Sequence, residues 1–175
     1  DIDASRLIVM SPGAKLPAKQ WPEEAWGRLA QMVEADLVDR SGSRFQIVFS
    51  GEHPLGARLD GMISRYKLRA KSYAGTSVVE LGALLRRARL LITPDSGPKH
   101  FAFALGTPTI TLYGGSDERR WGALWEREKH HVVRACPFDL SAEELMGLPV
   151  NHQMRCITPE LVMEQVEKVL GDLIP

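Results

Sequence analysis

Cysteine is nearly missing from this chain. Cys136 and Cys156 are the only two in 175 residues, so a framework of disulfides cannot be what holds the fold together. Also missing is any stretch near the roughly 20 consecutive apolar residues that a membrane-spanning helix needs. There is no excess charge of either sign: 22 basic residues balance 22 acidic ones, and no overall field draws the chain onto nucleic acid or an anionic bilayer. Nucleic acid is therefore not an expected partner, and any anionic ligand must be caught locally. The first residues lack the basic stretch and long apolar run of a secretory signal, which makes the cytoplasm the expected location.

Several chemical signatures are absent as well. Neither GxGxxG nor GxxxxGK[ST] occurs, so the usual dinucleotide and P-loop fingerprints are lacking. The five histidines form no HExxH pair, and Ser96 is not set in the GxSxG elbow of a serine hydrolase. Cys136, His152 and Cys156, separated by fifteen and three residues, make a poor zinc template. No metal is expected; the two cysteines either pair or stay reduced.

What is present is an alternation of short apolar runs with amphipathic segments. Leu7–Met10, Phe45–Phe49, Ser72–Ala74, Leu90–Thr93 and Thr109–Tyr113 suit strands, and His131–Arg134 suits an edge strand. Between them, Trp26, Leu29, Ala30, Val33 and Leu37 lie on one helical face after Pro22. Pro54 to about Lys67 is a weaker helix. Ser77 and Glu80 have capping-box spacing ahead of Leu81, Leu84, Leu85 and Ala88. Pro98–Leu105 is a short helix, and Thr158-Pro159-Glu160 opens a last one carrying Val162, Val166, Val169 and Leu170. Pro137–Asn151 reads as an acidic, partly helical excursion. The alternation predicts an α/β domain with a Rossmann-like, doubly wound parallel sheet. Ligands bind such sheets at the carboxyl ends of the strands, which directs attention to the loops 11–21, 50–54, 74–77, 94–100 and 114–122.

The loop around Asp95-Ser96-Gly97 leaves a buried strand and enters a helix whose first-turn amides are free to meet an anion. Gly97 lets a ligand approach the backbone, Pro98 suits the helix start, and His100 lies about one turn on. Lys15 and Lys19 precede another helix start, where positive charge is unfavourable unless an anion neutralises it. Gly114-Gly115-Ser116 offers a further glycine-rich loop, and Glu52 sits where an acid often meets a ribose. Each loop taken singly is also compatible with a plain cap, turn or solvated surface charge.

Taken together, four stretches resemble the C-terminal half of the glycosyltransferase family that contains the ADP-heptose:lipopolysaccharide heptosyltransferases. They are "SPGAKLPAKQWPEEAWGRLA" (11–30), "IVFSGE" (47–52), "GTSVVELGALLRRARLLITPDSGPKHFAFALGTPTITLYGGSD" (75–117) and "RCITPELVMEQV" (155–166). The Asp-Ser-Gly-x-x-His-x-Ala-x-Ala-Leu-Gly-x-Pro pattern over residues 95–108 is the most specific part. The resemblance implies a GT-B fold of two Rossmann-like halves, with residues 1–175 as the donor-binding half and the acceptor-binding half absent from this chain. It implies that Lys19, Ser96, Gly97 and His100 hold the donor diphosphate, that Asp95 faces the donor sugar, and that Glu52, Thr76 and Ser77 lie near the nucleoside. No cofactor is implied beyond a nucleotide-sugar donor such as ADP-heptose. The implied reaction is metal-independent and inverting, onto a lipopolysaccharide core acceptor, with the catalytic base in the other half and at most peripheral contact with the inner face of the cytoplasmic membrane.

Two departures bear on the donor. Many relatives carry a phenylalanine-glycine-proline-threonine turn where this chain has Tyr113-Gly114-Gly115-Ser116, and several have more cysteines near Cys136 and Cys156. The rival reading is a non-catalytic Rossmann-like module that binds a nucleotide or sugar phosphate.

Overall fold

The computed structural model describes residues 2–171. Six strands form one all-parallel sheet: β1 (Leu7–Met10), β2 (Gln46–Gly51), β3 (Lys71–Ala74), β4 (Leu90–Pro94), β5 (Thr109–Leu112) and β6 (His130–Val133), in the order β3-β2-β1-β4-β5-β6. Every strand the sequence predicts is there, and His130–Val133 occupies an edge as expected.

The helices are α1 (Glu23–Asp36), α2 (Gly56–Arg65), α3 (Val78–Arg87), α4 (Gly97–Leu105), the single turns α5 (Glu118–Trp121) and α6 (His152–Arg155), and α7 (Pro159–Val169). β1 and β4 are buried along their whole length because helices cover both faces of the sheet. On one face, Ile8, Met10, Phe49, Ile92 and Ile110 pack against the apolar stripes of α1, α2 and α7. On the other, Leu7, Val9 and Leu91 meet Leu85 of α3 and Ala102 of α4.

Local chemistry explains the boundaries. Ser77 accepts from the Glu80 amide while the Glu80 carboxylate accepts from the Ser77 amide, the predicted capping box at the start of α3. Gly106 ends α4 in the left-handed region at φ 69°, where a side chain would be strained. The excursion over residues 137–151 is a run of turns, not a helix. Its one cap, Ser141 with Glu144, is followed within a few residues by Gly147 and Pro149, which stop propagation. Cys136 and Cys156 are joined, with Cα atoms 6.4 Å apart, so the excursion is closed at its base.

The order of the strands reverses between β1 and β4, so the chain leaves these two neighbours in opposite directions and opens a crevice between the loops that follow them. The loop after β1 is fixed from below. Trp21 is buried, stacks edge-on against Trp26 with ring centroids 4.9 Å apart, and donates its indole N–H to the Ile157 carbonyl at 2.9 Å. Asn151 Nδ2 donates to the Gln20 carbonyl at 2.9 Å. The Pro17–Lys19 turn is thus clamped to the segment leading into α7.

Trp21→Phe leaves the Ile157 carbonyl without its donor and is expected to cost about 1–2 kcal/mol. Trp21→Ala, which also opens a cavity, is expected to cost about 3–5 kcal/mol. Urea unfolding followed by circular dichroism measures both; equal losses for the two variants would contradict the separate roles of ring and indole N–H.

Candidate functional site

A cleft of about 790 Å³ opens at the carboxyl edge of the sheet, within the range of small-molecule sites. Lys19, Glu52, Thr76, Asp95, Ser96 and Gly97 are among the residues that line it. Ser11 and Ser50, at the ends of β1 and β2, share a hydrogen bond at its base.

At the start of α4 the serine at the cap position does not cap. Thr93 donates its hydroxyl to the Ser11 carbonyl at 3.2 Å, and its lone pair is then available to the Ser96 hydroxyl, 3.1 Å away. The first turn of α4 is left with no side-chain cap. A Cβ added at Gly97 would meet no protein atom within 4 Å, and its φ is not in the left-handed region. Nothing in the packing demands glycine there; what glycine provides is open space in front of an uncapped helix N-terminus, where the helix dipole favours negative charge.

Asp95 lies two residues before that helix and is buried. One carboxylate oxygen accepts from Lys19 Nζ at 2.5 Å and the other from Lys99 Nζ. Burial alone would raise the Asp95 carboxyl; the hydrogen bonds from Lys19, Lys99 and Ser116 outweigh it and hold the group below the ordinary carboxylate range. Lys99 is fully buried. It also donates to the Tyr113 hydroxyl at 2.9 Å and to the Trp121 carbonyl at 2.6 Å. Burial pushes its ammonium below the ordinary lysine range against the pull of Asp95. The same burial, followed by the Asp95 charge, keeps the Tyr113 phenol far above its usual value, so it remains a neutral hydroxyl.

Other expected residues are placed differently. The anion that neutralises Lys19 in this structure is Asp95 itself, so a partly buried ion pair, and not a bare anion-seeking lysine, occupies the loop. Asp95 is accordingly covered by two lysines and not an open acceptor facing the cleft. His100 does not line the cleft; it is exposed and sets its ring edge-on to Phe103, centroids 5.7 Å apart. The helix itself is the reason: position 99, four residues from Asp95, comes back beneath the carboxylate, and the next residue is rotated by about 100° away from it. Partial desolvation of its ring and then the Lys99 charge lower the His100 imidazole. Ser77 is consumed by the α3 capping box, whereas Thr76 and Glu52 do line the cleft.

Gly114 and Gly115 serve packing. A Cβ at Gly114 would come within 3.0 Å of the Met154 side chain, and one at Gly115 within 2.6 Å of Gln153 Oε1. These glycines let α6 press against the loop after β5, and no phosphate is needed to account for them. Ser116, from the same turn, is near enough to Asp95 to help lower its carboxyl. Arg134 braces the turn by donating to the Gly114 and Ser116 carbonyls and to the Glu118 carboxylate. With both sulfurs of Cys136 and Cys156 in a disulfide, neither is a thiolate able to ligate a metal alongside His152, whose Nε2 is 3.7 Å from Cys156 Sγ. Sequence patterning missed Lys99, Tyr113 and Arg134. The i, i+4 relation of Lys99 to Asp95 is the signal that was available.

A family model described as Glycosyltransferase family 9 (heptosyltransferase) matches residues 2–146. The chain belongs to glycosyltransferase family 9. Among curated members of the family, it is 31% identical over 171 residues to lipopolysaccharide heptosyltransferase 2 of Escherichia coli K12, covering 94% of this chain and 47% of that protein. It is 29% identical over 173 residues to the enzyme of the same name from Salmonella typhimurium, covering 95% and 47%. The chain thus spans about half the length of the curated relatives it matches. Among solved structures, a family 9 glycosyl transferase from Veillonella parvula superposes with a TM-score of 0.77 at 24% identity, over 95% of this chain and 46% of that one. The E. coli ADP-heptose heptosyltransferase II gives 0.73 at 24%, with the same coverage. These likenesses establish the fold: a Rossmann-like half of the GT-B architecture, matching the family's C-terminal domain.

Asp95→Asn removes the negative member of the buried cluster and strands the Lys99 ammonium, a loss of about 3–5 kcal/mol at pH 7. The folded-state value of Asp95 lies below its unfolded value, so its contribution is fully present above about pH 4 and fades as pH falls through the folded value. The stability gap between the native chain and Asp95→Asn should therefore narrow below about pH 4, as read from urea midpoints across pH; a gap independent of pH would show that the carboxylate charge is not what stabilises the cluster.

Proposed function

We propose that this domain holds the nucleotide-sugar donor of a heptosyltransferase, a family 9 enzyme that moves heptose from an ADP-sugar to a hydroxyl of the lipopolysaccharide core. The observation that carries this reading is the uncapped N-terminus of α4 opening, past a glycine with free space in front of it, into a cleft lined by Lys19. An anion placed there meets helix amides and an ammonium together. The diphosphate of the donor is the group of matching charge, and the relatives named above are heptosyltransferases. A further structural neighbour is an E. coli heptosyltransferase bound to ADP.

In the proposed reaction the acceptor oxygen attacks the anomeric carbon as the bond from that carbon to the diphosphate oxygen breaks, inverting the centre. The electron pair of the broken bond stays with the nucleoside diphosphate, and the acceptor proton passes to a base in the other half of the enzyme. Charge builds on the departing diphosphate, and the α4 amides with Lys19 are oriented to stabilise it. Lys19 and the amides supply the positive charge, so the reading assigns no metal. Glu52 and Thr76, across the cleft from α4, are the groups proposed to meet the nucleoside. No helix among the described residues is long and apolar enough to cross a membrane, and the proposed site of action is the cytoplasm, against the inner membrane face where a lipid-linked acceptor is reached.

Calorimetric titration of ADP into this chain is the direct test. The expected result is measurable binding that Lys19→Ala weakens by about tenfold or more, the loss of one charge-assisted hydrogen bond, and that Gly97→Val abolishes by filling the space before α4. Absence of ADP binding, or affinity indifferent to both substitutions, would overturn the proposal.

A further inference from the structure

Lys99 places all three ammonium protons on acceptors, with Asp95, Tyr113 and Trp121 receiving one each. A fully buried ammonium is costly and persists only in surroundings built for it. The two lysines on Asp95 are not equivalent. The Lys99 side chain has no exposed surface and rises from the first turn of α4; the Lys19 side chain is 26% exposed and lines the cleft. One is fixed, the other is able to leave.

We propose that Lys99 is a positioning residue that keeps the Asp95 carboxylate balanced from beneath, so that Lys19 can exchange Asp95 for the diphosphate of an incoming nucleotide. The inference rests on the reading of the cleft as a nucleotide-diphosphate site. With Lys99 in place, departure of Lys19 leaves a neutral Asp95–Lys99 pair and a full positive charge facing the ligand. Without it, Lys19 is the only ammonium on Asp95, and its departure would leave a buried carboxylate unpaired and beside a second anion. Lys19 would then stay where it is and the ligand would lose its cation. The exchange also uncovers the carboxylate oxygen that Lys19 had occupied, turning Asp95 into an acceptor at the cleft wall while its other oxygen remains on Lys99. The contacts of Lys99 with Tyr113, just after β5, and with the Trp121 carbonyl of α5 hold its ammonium in place independently of Lys19.

The test is ADP affinity, by titration calorimetry, in a set of variants whose folding is checked by circular dichroism. ADP is chosen because it lacks the sugar, so that any contact of Asp95 with the sugar does not enter. Lys99→Met keeps the length of the side chain and removes the charge; it is expected to weaken ADP binding about tenfold. Asp95→Asn combined with Lys99→Met removes the carboxylate that retains Lys19, and is expected to bind within about threefold of the native chain. Adding Lys19→Ala to the Asp95→Asn/Lys99→Met chain is expected to weaken ADP binding about as much as Lys19→Ala weakens the native chain, because the affinity recovered in that chain runs through Lys19.

Native affinity in Lys99→Met, or an Asp95→Asn/Lys99→Met chain whose affinity Lys19→Ala does not lower, would overturn the inference while leaving the nucleotide site standing. So would an Asp95→Asn/Lys99→Met chain that is folded but binds as poorly as Lys19→Ala. If Lys99→Met does not fold, the Asp95→Asn/Lys99→Met chain, free of both buried charges, decides alone by the same criterion. Failure of the native chain to bind ADP removes the site and the exchange together.

Discussion

A carboxylate held between two ammonium groups organises the carboxyl edge of this sheet. Asp95 sits at the end of the central strand β4, Lys19 comes from the loop after β1, Lys99 from α4, and Ser116 from the turn after β5. Through Lys99 the cluster also reaches Tyr113 and the carbonyl that ends α5. Each of these segments connects to a different part of the sheet, and they meet at one charge. Such a cluster is poor material for stability alone, since apolar residues of similar volume serve a core as well or better. Its worth lies in fixing where a positive charge and a helix end stand relative to each other at the rim of a cleft.

The topology makes that meeting unavoidable. With strand order β3-β2-β1-β4-β5-β6 the reversal falls between β1 and β4, and the two loops that carry Lys19 and Asp95 are those that flank it. The register of β1 on β4 brings Met10, the last residue of β1, opposite Ile92, and β4 runs two residues further to Pro94. From there the Ser11 amide still pairs with the Ile92 carbonyl and Thr93 with the Ser11 carbonyl. The crevice is therefore rigid at its base, and the only charged side chain at the Lys19–Asp95 contact with freedom to move is the lysine.

Much of the frame was legible from sequence because it depends on local patterns. Uniformly apolar tetrads such as Leu7–Met10 give a doubly covered strand, Ser77 with Glu80 gives a cap, and Gly106 before a second β-branched run gives a helix end. The cluster was less legible because its logic spans helical geometry and distance in sequence. Position 99 looks like a surface lysine until the rise and rotation of α4 put it under Asp95, while His100, the more eye-catching side chain, turns outward. Gly114 and Gly115 look like a phosphate loop, yet the steric reason for them is Met154 and Gln153, some forty residues on. The turn-rich course of 137–151 follows from breakers that outweigh its acidic helix-forming residues.

The clamp on the loop after β1 has an outcome for how damage to this chain would present itself. Asn151 and Ile157 grip Gln20 and Trp21 from a segment that lies past the residues matched by the family model. None of the residues from 151 to 157 lines the cleft. On the proposed reading, loss of the Asn151 contact would nevertheless present as a ligand-handling defect, because it loosens the loop that carries Lys19. In a mutational scan Asn151 would then score with the Lys19 loop, whereas Met154 and Ile157, which are buried, would score with the core.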